Sequence, residues 1–248
     1  MRWSKIRLYE LVNGFRGYWD NLKPLLSVTL ILSIALSLSL IGCRSDLSLA
    51  QECYRIGDYQ RAKKLYENEL DEHPSSFEIR YGYAVVLQEI SLKEKSSGED
   101  KVENWLAVVR EYEICSKLGD ADSFSENFAL ALFHLGNKLY LEGKFASAQD
   151  YLDEARKLEP KNTFVVNLAG IVEYSQGKYT EAKETFEFLL AFDPSFVTAY
   201  LNLGNVLWES GEEDAALVTW KQALNISPGN PAVVKRIEMA LANLSEEN

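Results

Sequence analysis

Cysteine and histidine are scarce in this chain. Its 248 residues hold three of the first (Cys43, Cys53, Cys115) and two of the second (His73, His134). Three scattered thiols with no C-x-x-C pair make no disulfide framework. Two histidines leave little material for a zinc site or for acid–base chemistry. H-E-x-x-H, G-x-S-x-G, a glycine-rich phosphate loop and an EF-hand loop are all missing. Positive charge is also in short supply. Lys and Arg total 26 against 37 Asp and Glu, a net charge of −11. A phosphate backbone needs a basic face, so nucleic acid is not an expected partner. No catalytic residue, cofactor, metal or small-molecule substrate is expected from this inventory.

What remains is ordinary globular material. Hydrophobic residues are 47% and charged residues 25%, which excludes wholesale disorder. A chain of this length buries a core without disulfide staples. The charge is unevenly spread. Arg2, Lys5, Arg7, Arg16 and Lys23 outweigh Glu10 and Asp20, giving +3 over residues 1–24. Residues 25–42 carry no charge, and 43–248 therefore hold −14. Basic, then apolar, then acidic is the layout of a membrane-targeted chain with its acidic part on the extracytoplasmic side.

The uncharged stretch Leu25–Gly42 is 18 residues long. That is close to the minimum of about 17 for a spanning helix and longer than the roughly 7–15 of a signal core. It ends in Leu40-Ile41-Gly42-Cys43, which resembles the lipobox of bacterial lipoprotein signal peptides. The resemblance implies cleavage after Gly42, acylation of the Cys43 thiol and anchoring of the new N-terminus in a membrane. Arg44 after the cysteine, rather than Asp, favours the outer membrane by the same resemblance. The 24-residue leader is longer than that family's usual one. With Trp3, Tyr9, Phe15, Tyr18 and Trp19 it also suits an uncleaved signal-anchor. A cytoplasmic chain with a misread apolar core is the third reading.

Past Cys43 the pattern is helical and repeats at 34 residues. Pro160, Pro194 and Pro228 keep that spacing, as do Gly136, Gly170 and Gly204; Gly143, Gly177 and Gly211; and Ala148, Ala182 and Ala216. Leu152, Phe186 and Trp220 share the register as a large apolar column. The middle glycine suits a tight turn between two helices and the proline stops the second. The early glycine and the alanine leave room where the helices cross. This pattern resembles the tetratricopeptide repeat, with contiguous copies at 129–162, 163–196 and 197–230. Residues 43–76 hold a fourth copy through Ala50, Gly57, Tyr59, Ala62, Tyr66 and Pro74. Residues 77–122 read as a degenerate copy with Tyr112 and Cys115 in the large and small places. Its first helix, 77–90, is interrupted by a charged, peripheral insertion near 92–103. Residues 123–128 are extra, and 231–248 read as a capping helix. The resemblance implies an all-α, right-handed superhelical solenoid of helix-turn-helix repeats.

In that family the first helices line a concave groove that holds a peptide. Carried over by register, one column is Tyr54, Gln88, Tyr140, Tyr174 and Trp208. A second is Gln51, Val85, Asn137, Ile171 and Asn205, and a third is Leu47, Tyr81, Phe133, Asn167 and Leu201. Aromatic faces and amides suit an extended peptide backbone, although stacking between repeats alone would account for much of the tyrosine column. Lysine is absent from these places, which argues against the basic carboxylate clamp of chaperone-binding relatives and predicts an uncharged groove. Cys53 and Cys115 are expected as free core thiols, His73 as a surface residue and His134 as an inert helix residue.

The leading expectation is a membrane-anchored scaffold that binds a protein or peptide of the bacterial cell envelope on the periplasmic side. A self-assembling structural lipoprotein is the alternative, and an enzyme the remote one.

Overall fold

The computed structural model describes residues 46–98, 101–119 and 121–246. Cys43 and the apolar segment before it lie outside them. Among the described residues there are eleven α-helices and no strand. They are α1 (Asp46–Arg55), α2 (Tyr59–Glu72), α3 (Phe77–Ser97), α4 (Val102–Leu118), α5 (Ser125–Leu141), α6 (Phe145–Leu158), α7 (Thr163–Ser175), α8 (Tyr179–Phe192), α9 (Val197–Glu209), α10 (Glu213–Ile226) and α11 (Pro231–Glu246). One turn of 3-10 helix (Ala121–Phe124) precedes α5. None of the described helices is long and apolar enough to cross a membrane.

Each helix packs on the next in sequence. The first helices of successive repeats also meet, α1 with α3, α5 with α7 and α7 with α9, and second helices do not touch to that extent. First helices therefore lie on the inner side of the stack.

The turns, caps and crossings form where the repeat marks them. At Gly177 the chain turns with φ +74°, a conformation that costs glycine nothing. The Lys178 N–H reaches back to the Glu173 carbonyl at 3.0 Å and Gly177 N–H to Tyr174 at 2.9 Å, closing the end of α7. Asn162 caps the start of the same helix, its Oδ1 accepting from Phe164 and Val165. Gly170 sits where α7 crosses α8; a Cβ there would lie 2.7 Å from the Phe186 ring. Ala182, Phe186, Leu203 and Trp220 belong to one buried cluster, and Trp105, Tyr112, Leu132 and Leu152 to another.

The structure corrects the reading of the second repeat. Its first helix does not stop near residue 90. Helix α3 runs on to Ser97 and is capped by Gly98 at φ +80°. Ser91 is buried, Leu92 packs on the core and Val102 is buried at the start of α4. Asn104 donates to the Glu94 carboxylate across the connection. Residues 91–97 are thus two more turns of helix packed on the core, and not part of a peripheral insertion. The residues that looked extra also have a place. Phe124 is 3% exposed and wedges among Phe77, Tyr81, Tyr112 and Phe128 with ring centroids 5.8–6.3 Å away. It fills the junction that the regular repeats close with a proline turn.

Candidate ligand groove

The inner faces of the first helices form three clefts in a row. The central one, about 180 Å³, is lined by Tyr140, Ile171, Tyr174, Ser175, Phe186, Asn202 and Asn205. Towards the N-terminus a cleft of about 380 Å³ includes Gln51, Tyr54, Glu78, Tyr81, Gln88 and Glu89. Towards the C-terminus one of about 370 Å³ is lined by Leu201, Asn205, Ala232, Lys235, Arg236 and Met239.

Of the residues predicted for the groove, the structure brings Tyr140, Ile171, Tyr174 and Asn205 together in the central cleft. Tyr54 and Tyr81 stand in the first cleft, and Leu201 shares the last with Asn205. Phe133, Asn137, Asn167 and Trp208 line none of the three. Phe133 is half-buried in the core and its ring is 5.3 Å from that of His134. Asn167 accepts from the Asn202 amide at 3.1 Å.

Part of the aromatic column is packing. Tyr54, Tyr140 and Tyr174 each meet the ring five residues on, Tyr59, Phe145 and Tyr179, with centroids 5.6–5.7 Å apart. Glu213 occupies the corresponding place after Trp208, so Trp208 turns onto Trp220 at 5.9 Å. Tyr81 stacks on Phe77 and its hydroxyl accepts from Asn127 at 2.9 Å.

The polar groups are set up for hydrogen bonding. Asn205 has a buried amide oxygen with no partner among the described residues. An unpaired buried acceptor is costly. Burial pushes the phenols of Tyr54 and Tyr174 above their ordinary range, with Glu89 adding to the first and Glu209 to the second. Both stay neutral donors and acceptors at physiological pH.

Lys235, Arg236 and Met239 were not predicted, and the groove is not uncharged. The signal was present in the 34-residue register. Lys235 continues the column of Asn167 and Leu201, and Met239 that of Ile171 and Asn205, into the half-repeat formed by α11.

Among the described residues no group of three His, Cys, Asp or Glu side chains is placed to hold a metal. Cys53 and Cys115 are buried and free, and burial raises the Cys115 thiol to about 11. His134 is 9% exposed, its ring tilted against Trp105 with centroids 4.5 Å apart, and its Nδ1 is 3.1 Å from Lys95 Nζ.

Stacked helix pairs with an open inner groove define an all-α helical-repeat solenoid. Comparison with known proteins identifies the repeats. Family models described as tetratricopeptide repeat match residues 47–89, 129–162 and 197–230, and one described as TPR repeat matches 170–211. The chain therefore carries tetratricopeptide repeats. A TPR repeat-containing protein of Rhizobium etli is 25% identical over 114 residues, 46% of this chain and 56% of that one. The BBSome complex member BBS4 of Bos taurus is 23% identical over 72% of this chain and 31% of its own length. The match thus spans under two thirds of either relative. Among solved structures, YrrB, described as a TPR protein with an unusual peptide-binding site, superposes with a TM-score of 0.58 at 18% identity, covering 82% of this chain and 98% of that one. MamA gives 0.53 at 21% identity, covering 73% and 89%. Both are similar in fold.

Proposed function

We propose that this chain is a membrane-tethered adaptor that holds a peptide segment of a cell-envelope complex in its inner groove. The observation that carries the reading is the central cleft. Tyr140 and Tyr174 line it together with the side-chain amides of Asn202 and Asn205, which suits a backbone needing both contact area and hydrogen bonds. The tether is supported by the charge layout and by the sequence that ends at Cys43. The first described helix, Asp46–Arg55, lies three residues past Cys43 in sequence, so an anchor at that cysteine would hold the repeats near the membrane.

Two experiments test the two halves of this reading. Co-purification from detergent-solubilised membranes should return a partner with wild type that a Tyr174→Ala, Asn205→Ala double variant loses while remaining folded. The same proteins returning with both would move the search to the outer face. Cys43→Ala should leave uncleaved, unacylated precursor. Normal processing of that variant would remove the lipoprotein reading.

Self-assembly is the second reading, and Leu241 is the observation behind it. In register it matches buried Leu139 and Leu207, yet it is 53% exposed on α11. Light scattering across concentrations tests it, a monomer at every concentration speaking against assembly.

A further inference from the structure

The groove changes sign along its length. At the N-terminal end the carboxylates Glu78 and Glu89 line the cleft with Tyr54 and Tyr81. At the other end stand Lys235 and Arg236. Helix α11 buries Val233 and Ala240 and packs Ile237 against the core. That leaves Ala232, Lys235, Arg236 and Met239 in a stripe at i, i+3, i+4 and i+7 facing Leu201 and Asn205.

Neither cation is ion-paired among the described residues. Arg80, Arg156 and Lys183 are held by Glu111, Glu173 and Glu212 at 2.6–3.6 Å. Lys235 and Arg236 are exposed, and no hydrogen bond or ion pair joins either to any described residue. The Arg236 charge is felt as far as Tyr174, whose phenol it pulls down against burial and Glu209. On a chain of net charge −11, an acidic ligand is repelled over most of the surface and attracted at this end.

We propose that the ligand is an extended peptide whose acidic side chains lie over Lys235 and Arg236, with an apolar residue against Met239 and Leu201. The proposal rests on the groove being a peptide site. It adds the chemistry of the partner and its direction, because carboxylates at the opposite end would meet Glu78 and Glu89.

The test is selection of short random peptides, displayed without a free C-terminus, on the full chain in detergent. Three proteins are compared: wild type, the Lys235→Glu, Arg236→Glu variant, and the Tyr174→Ala, Asn205→Ala variant. Wild type should enrich Asp and Glu. The charge-reversed variant should lose that bias and bind a selected acidic peptide on the order of tenfold more weakly, a gap that closes at high salt. Its circular dichroism and thermal midpoint should match wild type, since both side chains are exposed. If wild type and the reversed variant select the same sequences with no acidic bias, and only the cleft variant loses them, the groove stands and the charge inference falls. If wild type selects nothing, the groove reading falls and takes the inference with it.

Discussion

Two neighbouring positions on α7 show how much one side chain decides. Gly170 has no room for a Cβ, because the Phe186 ring stands 2.7 Å from where it would be. Gly170→Leu should destabilise the protein by about 1–3 kcal/mol through overpacking, read as a lower thermal midpoint. Three residues on, Glu173 is 7% exposed beneath Gln149 and Arg156. Burial raises its carboxyl above the ordinary value, with Thr185 and Arg156 pulling it back. A raised carboxyl binds its proton more tightly when folded. Its stability contribution is therefore full below the unfolded pKa and lost as pH rises through the folded one. Glu173→Gln removes this titration. The midpoint of wild type minus that of the variant should fall as pH rises through and above the ordinary carboxylate range, whereas a flat difference would mean that the carboxyl is not perturbed. Tyr174, next along the chain, turns the opposite way into the groove.

At the scale of an element, α3 is the informative case. Its last two turns carry alternating charges and a Ser-Ser-Gly end, which in sequence reads as a break. The structure shows why that reading failed. The apolar face narrows to Ser91 and Leu92, a small and a half-buried side chain, so periodicity fades although the helix does not. These turns bring Lys95 to His134 and Glu94 to Asn104. Replacing 92–103 with a short Gly/Ser link should therefore lower the thermal midpoint by several degrees, since it uncovers Trp105 and removes buried Val102. An unchanged midpoint would return the segment to the periphery. Elsewhere the elements were legible, because each repeat marks its own turn with a glycine and its crossing with a small residue. Phe124 could not be anticipated: it follows no register and acts only through the four rings it meets.

For the whole molecule, a 34-residue period was enough to define the stack, since each repeat touches little beyond its neighbours. The groove was less legible. Tyr140, Ile171, Tyr174 and Asn205 converge as the register places them. The same register could not separate side chains that face a ligand from Phe133 or Trp208, which face the core and the next ring. It was also stopped one half-repeat early, which hid the cations of α11. The central claim is that the inner face, and not the outer one, holds the partner. The most direct measurement is photo-crosslinking in intact membranes, with benzoylphenylalanine placed at Tyr174 in one protein and at exposed Phe188 on α8 in another. The account predicts a discrete partner adduct from position 174 and none from position 188. An adduct from 188 alone would contradict it.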